Sequence, residues 1–344
     1  MKLFLHKLTH WEYWPFQIVY IPIYFLWVFY AIKSRSLFFF NASNPSIQNG
    51  GFMNESKMKI YDLIPQKYYP KTQLISSNSQ FHEALNMQQT ESILMPFIAK
   101  PDIGLRGSGV KKINSIQDFE NYHQKADFNY LIQNLIPYPN EIGVFYVRFP
   151  NQQKGKITGI VAKEFLIVEG DGTSTIQQLV LKNPRYAFQL EALKKDISID
   201  LNEIIAVNEK RNLVPFGNHA RGAKFMDASD LISPKLNDVI DKMCQEIPEF
   251  YFGRLDIMYE SIADLENGNH FLIVEINGAG SEPTHIYDPK HSLFFAWREL
   301  ARHITYMYKI SRQNHKKGVS YLTFKEGVKE YKLHLEQSKK IIEM

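Results

Sequence analysis

A mixed α+β fold of more than one subdomain is what this sequence predicts, and three observations predict it. Short runs rich in apolar residues recur between residues 94 and 277, stretches of helical spacing interrupt them irregularly, and the last two runs can pair as an antiparallel hairpin. A chain of 344 residues can bury a sizeable core and has room for two or three subdomains. Its 44% hydrophobic and 22% charged residues are those of an ordinary globular protein. The net charge of +4 is small and dispersed, so nucleic acid is not expected as a partner. Cys244 is the only cysteine, which excludes an intrachain disulfide and a cysteine zinc site; it falls in an apolar helical pattern and is assigned to the core.

The first forty residues differ from the rest. Tyr13 to Ile32 carries no charge and is dominated by Trp, Tyr, Phe and Ile. At about 1.5 Å per residue such a segment approaches the roughly 30 Å of a bilayer's hydrocarbon. Aromatics at both ends suit the membrane interface, and Lys33 and Arg35 suit phosphate headgroups. Pro15 and Pro22 argue against a plain spanning helix, and no small-residue pattern marks a cleaved signal peptide. Two readings stay open: attachment to the cytoplasmic face of a membrane through residues 13–32, or an aromatic arm packed on the domain or on a second copy of the chain. Residues 41–55, rich in Asn, Ser and Gly, read as a linker, so the ordered domain is expected from Ser56 to about residue 289.

Leu94 to Lys100 predicts a strand, followed by a glycine-containing loop and a helix opening at Ser115, with Asp118 completing a capping pattern. Residues 129–136, 141–149 and 156–168 predict successive strands. Leu236, Val239, Ile240, Met243 and Ile247 recur at helical spacing. Tyr251 to Tyr259 and His270 to Asn277 predict the hairpin. Beyond Pro289 the chain turns helical, with Phe294, Phe295, Trp297, Leu300 and Ile304 available for a packed face, and a charged helix ends it.

Chemistry concentrates in two places. Strand alternation puts Arg254 and Asp256 on one face of the first hairpin strand and Glu275 and Asn277 on one face of its partner, with apolar neighbours on the opposite faces. Two carboxylates and an amide are hard oxygen donors of the kind magnesium takes beside nucleotide phosphates, and Arg254 adds a fixed positive fork. Gly278 and Gly280 follow in a tight loop whose backbone can approach a ligand. The competing reading is an ion-pair network closing a strand edge. The second place is Lys100 and the loop after it, where Gly104, Gly107, Ser108 and Gly109 give a phosphate-binding grammar that a surface turn would also satisfy.

The segments FIAKPDIGLRGSGV, VEGDGTSTIQQLV, FGRLDI and VEINGAGSEPTHIYDP, in that order, resemble the ATP-grasp ligases, particularly the carboxylate-amine branch that includes D-alanine:D-alanine ligase and cyanophycin synthetase. The resemblance spans roughly residues 56–289. It implies two α+β subdomains clasping ATP, and an amide formed from a carboxylate through an acyl phosphate. It implies ATP and Mg2+ as the groups bound, with small-molecule or lipid-linked carboxylate and amine substrates.

By the same resemblance, Lys100 and Lys57 contact the nucleotide phosphates, Gln133, Asn134, Leu135 and Ile136 form the adenine hinge, and Glu141 and Lys163 approach ribose and phosphate. Gln133 stands where the family often has glutamate. Asp256, Glu275 and Asn277 correspond to the metal ligands, Arg254 to the arginine on the transferred phosphate, and Arg221 to an anion-holding arginine on the acceptor side. His219 and His285 are expected as polar supports near the substrate. The family's separate leading α/β domain has no counterpart here, where the aromatic segment stands instead. A catalytically silent nucleotide-binding scaffold at a membrane is the competing function.

Overall fold

The computed structural model describes residues 10–104, 107–164, 166–187, 189–194, 199–213 and 224–343. After single turns at Trp11–Tyr13 and Phe16–Val19, the aromatic segment forms helix α1 (Ile21–Ser34). Pro22 stands in its first turn, where a missing N–H costs nothing, so this proline opens the helix instead of breaking it. Its 14 residues reach only about 21 Å. Among the described residues no helix is long and apolar enough to cross a membrane. One side of the segment is instead packed on the domain: Trp11, Val19, Tyr20 and Ile23 are buried with Ile286, Ala296 and Leu300.

Residues 41–55, expected as a linker, are built into the molecule. Short 3-10 turns at Phe39–Ser43 and Gln48–Gly51 bury Phe39, Phe40, Ala42 and Ser43. Asn44 explains how a polar stretch can pack. Its amide nitrogen donates to Gly50 O at 2.9 Å and Phe252 O at 2.8 Å, and its oxygen accepts from Tyr251 N at 2.9 Å and Phe252 N at 3.0 Å. All four of its hydrogen-bonding capacities are used on backbone.

The next unit comprises α2 (Lys57–Tyr61), β1 (Thr72–Ile75), α3 (Phe81–Thr90), β2 (Phe97–Pro101), β3 (Lys111–Ile113), α4 (Ile116–Lys125) and β4 (Tyr130–Asn134). Its strands form an antiparallel sheet in the order β1-β4-β2-β3. Ser115 caps α4 by accepting from Asp118 N at 3.1 Å. Ala84 of α3 and Phe119 and Tyr122 of α4 are buried with Phe97, Ala99 and Ile132 of the sheet.

The second unit adds β5 (Asn140–Val147), β6 (Lys156–Glu164), β7 (Ile167–Glu169), α5 (Ile176–Lys182), β8 (Lys210–Asn212), β9 (Lys224–Asp227), α6 (Pro234–Gln245), β10 (Phe252–Tyr259), α7 (Ile262–Glu266) and β11 (Phe271–Asn277). A five-stranded antiparallel sheet runs β11-β10-β5-β6-β9, and β7 pairs with β8 separately. The single strand expected over 156–168 is therefore two strands in different sheets. Strands β10 and β11 pair as expected, with α7 in their connection. Leu236, Ile240, Met243 and Cys244 of α6 are buried with Leu255 and Ile257 of β10. Leu131 of β4 joins that same core, so the two sheets share one apolar cluster.

Helices α8 (Leu293–Lys316) and α9 (Phe324–Glu343) complete the chain. Leu300 is buried under α1, whereas Phe294, expected in the packed face, is 77% exposed. The architecture is thus mixed α/β with antiparallel sheets.

Candidate active site

The register of β10 and β11 sets Asp256 opposite Glu275 and Arg254 opposite Asn277, with a bulge just after Asp256. Arg254 holds Asp256 by a fork, Nε to Oδ1 at 2.9 Å and Nη2 to Oδ2 at 3.1 Å. Lys163 Nζ lies 3.9 Å from Asp256 Oδ2 and also bonds the Glu141 carboxylate. Arg254, Asp256, Lys163 and Glu141 therefore form one chain of alternating charge on three neighbouring strands, β10, β5 and β6. Burial raises the Asp256 carboxyl, but Arg254 and Lys163 outweigh it and hold it below the usual range. Burial pushes Glu141 up against the attraction of Lys163. Burial alone would lower Lys163, yet Asp256 and Glu141 keep it above its ordinary value.

A glycine makes room for this chain. A Cβ at Gly143 would lie 2.8 Å from Val161 Cγ1, 3.0 Å from Asp256 Oδ1 and 3.1 Å from Arg254 Cδ. Strand alternation was enough to place the charged residues on one face, whereas Gly143 becomes meaningful only once the neighbour of β10 is known.

Glu275 faces Lys57, whose Nζ is 3.6 Å from Oε1. Lys57 also donates to Asp102 O at 3.4 Å, and a Cβ built on Gly104 would lie 3.5 Å from the same ammonium. Lys57 thereby joins the acidic strand ends to the glycine loop. Asp102 fixes that junction: its carboxylate accepts from Ser56 Oγ and from Met58 N, both at 2.9 Å, and its carbonyl accepts from Lys57 N at 3.0 Å. Within the loop Gly107 and Gly109 have φ of 75° and 69°, which favour glycine, and Gly109 O accepts from Tyr122 at 2.8 Å. Ser108 lies in the turn between them.

Lys100 is buried and links the two sheets. Its ammonium donates to Gln133 Oε1 at 2.8 Å, Tyr61 Oη at 2.9 Å and Val274 O at 3.2 Å. Burial lowers its pKa to about 8, against the pull of Glu275. Gln133 passes its own amide hydrogen to Thr72 Oγ1 at 2.6 Å, so its side chain is engaged within the first sheet. Asn134 ends β4 by accepting from Leu94 N at 2.8 Å, and Leu135 and Ile136 begin the connection from the first sheet to the second. Glu141, expected toward the ribose, is instead drawn onto Lys163.

Gly278 and Gly280 sit in a tight loop as expected, but its backbone is packed on another segment of the chain. Ala279 N and Gly280 N donate to Gly50 O and Gly51 O, each at 2.9 Å. The amides expected to face a ligand are thus spent on the packed 49–52 segment. Tyr20 from the aromatic segment donates to the Glu282 carboxylate in the same loop. His285 is buried beside Glu299, 3.7 Å away, and beneath Gly159. His219 and Arg221 lie outside the described residues. Sequence reading missed Tyr61, Asp102 and Gly143; of these, Asp102 carried a signal, since it follows Lys100-Pro101 directly.

Among the described residues no cluster of three or more His, Cys, Asp or Glu side chains is arranged to hold a metal. Asp256, Glu275 and Asn277 offer two carboxylates and one amide oxygen, although both Asp256 oxygens accept from Arg254 in this structure. Such a set fits magnesium held jointly with phosphate oxygens and water, rather than in an all-protein cage.

No family model matches the chain, and no curated protein matches it. Solved structures do. D-alanine–D-alanine ligase from Bacillus anthracis is similar at 12% identity and a TM-score of 0.43, over 76% of this chain and 69% of that one. The VanG D-Ala:D-Ser ligase from Enterococcus faecalis is similar at 14% identity and 0.41, over 74% and 61%. A bifunctional glutathione synthetase from Pasteurella multocida is similar at 13% identity and 0.39, over 73% of this chain but only 35% of its own length. The chain spans 35–69% of the length of these three proteins.

Proposed function

We propose that the chain is an ATP-dependent ligase of the ATP-grasp type, which activates a carboxylate by phosphorylation and joins it to an amine. One observation carries this reading: Lys57 ties the Asp256–Glu275 strand ends to the glycine loop, so phosphate-binding backbone, cations and acidic oxygens converge where the two sheets meet.

In this reading Lys57 and Lys100 neutralise nucleotide phosphates, and the amides of residues 107–109 bind their oxygens. Arg254, held by Asp256, offers its guanidinium to charge developing on the transferred phosphoryl group. Asp256, Glu275 and Asn277 would hold Mg2+, which when bound offsets charge on the phosphate oxygens. In the proposed reaction a carboxylate oxygen attacks the γ-phosphorus and ADP leaves. The amine then attacks the acyl carbon, inorganic phosphate leaves, and an amide remains. This chemistry is mostly positioning and charge compensation, so it asks for no serine or cysteine nucleophile.

The test is a thermal melt with ATP and magnesium, alone and together, followed by a screen for ADP release with amino acids, peptides and lipid-linked carboxylates. Magnesium-dependent protection by ATP is the expected result. An unfolding midpoint that ATP and magnesium leave unmoved would remove the nucleotide site. Protection without carboxylate- and amine-dependent ADP release in that screen would favour the silent scaffold.

A further inference from the structure

Helix α1 is fastened along its length to α8. Trp297 Nε1 donates to Val19 O at 2.8 Å, Ile23 is buried with Ala296 and Leu300, and Tyr30 stacks on Tyr308 with ring centroids 4.1 Å apart. These pairs advance in the same direction on both helices, so α1 runs parallel to α8 along the outside of the domain.

The opposite face of α1 is apolar and uncovered. Ile21, Phe25, Val28 and Ile32, three or four residues apart, are 50%, 74%, 52% and 72% exposed. Folding does not account for them, because the helix already buries its other side. A contiguous apolar strip of this kind marks a surface that an apolar partner covers.

Charge identifies that partner. At the C-terminal end of α1 a cavity of about 540 Å³ opens between α1 and α8. Its lining includes Lys33, Lys309, Arg312, Lys316 and Lys317 and contains no carboxylate. Lys33 Nζ sits 4.5 Å from the centre of the Phe29 ring, which is itself 48% exposed, so the cationic cavity and the apolar strip are continuous. A second copy of the chain could cover the strip with its own, but the strip residues Ile21, Phe25, Val28 and Ile32 offer no anion to the cavity. A lipid bilayer with anionic headgroups offers both complements at once, acyl chains for the strip and phosphates for the cavity.

We propose that this face is a docking surface for an anionic membrane, with α1 lying in the plane of the interface, Phe25 and Ile32 among the acyl chains, and lipid phosphate in the cavity between α1 and α8. The proposal does not rest on the ligase reading, since it uses neither nucleotide nor metal.

The experiment is flotation of the full chain with vesicles of phosphatidylcholine alone and of phosphatidylcholine with phosphatidylglycerol, at low and high salt. The protein is expected to float with the anionic vesicles, less so as salt rises. The double variant Phe25→Glu/Ile32→Glu should abolish flotation, and Lys309→Glu/Arg312→Glu should lower the bound fraction at least about tenfold. A thermal melt confirms that each variant folds, the first pair changing side chains that are at least 72% exposed. Equal binding to both kinds of vesicle, no binding to either, or binding that survives the folded variants would overturn the proposal. So would a dimer that Phe25→Glu dissociates in a chain that ignores vesicles.

Discussion

Lys100 and Gln133, on adjacent strands of the first sheet, meet at 2.8 Å in a place where water does not follow them. A neutral amide cannot balance the ammonium as a carboxylate would, and burial therefore brings Lys100 down to about 8. The choice of glutamine at 133 thus has a physical consequence for the lysine next to it.

The first prediction follows from linkage. The folded pKa of about 8 lies below the ordinary 10.5, so between those values the unfolded chain binds the proton that the folded chain has lost. Stability contributed by this group therefore rises with pH through that window, and below about pH 8 the cost of burying the charge is fully present. Melts of the ligand-free protein from pH 7.5 to 10 should show this rise relative to Lys100→Met. Gln133→Glu should remove it by returning Lys100 toward its ordinary pKa. A profile identical in all three proteins would show that Lys100 does not titrate there.

The second prediction concerns nucleotide. Phosphate beside Lys100 favours its charged form, so binding above pH 8 must take up a proton. ATP affinity should fall by up to about tenfold per pH unit over the next two units. Calorimetry in buffers of different ionisation enthalpy would register the proton directly, and no buffer dependence would contradict the placement.

The third prediction separates two carboxylates that stand opposite each other. Glu275 is 34% exposed at its side chain and faces Lys57 at 3.6 Å, so Glu275→Gln should leave folding intact while turnover drops at least about 100-fold. Asp256 is 5% exposed and forks onto Arg254, while Lys163 keeps Glu141, so Asp256→Asn leaves the largely buried Arg254 guanidinium without its carboxylate. Breaking such a buried pair costs about 3–5 kcal/mol. Urea unfolding read beside ADP release distinguishes the cases; near-normal turnover in Glu275→Gln would withdraw it from the metal site.

How much of this was legible depends on the length scale of the signal. Alternation over residues 252–259 and 271–277 is local, and by itself it puts Arg254, Asp256, Glu275 and Asn277 on facing strands. The packing of residues 41–55 was not legible, because Asn44 looks like any loop asparagine until Phe252, 208 residues away, brings its backbone to meet it. The aromatic segment was legible only in part. Its composition announced apolar surface, but the division of α1 into a face on α8 and a face outside depends on where α8 lies. Gly143 and Tyr61 carry no local pattern, since each matters through strands distant in sequence.

The last prediction tests the junction that composition concealed. Gly278 follows β11 directly, and a Cβ there would stand 2.3 Å from Gly50 O and 2.8 Å from Gly51 Cα. Both contacts are backbone, so no side chain can swing aside. Gly51 itself has φ of 76°, which limits how far that segment can shift. Gly278→Ala should therefore force the 49–52 segment off the strand end and lower stability by about 1–3 kcal/mol, the usual range for overpacking. The same displacement breaks the bonds from Ala279 N and Gly280 N and loosens the loop that carries Glu282, the partner of Tyr20. Urea unfolding gives the loss in stability, and faster amide exchange at residues 279 and 280 shows where it arises. Full stability with unchanged exchange would mean that the N-terminal segment does not close on this strand end in solution.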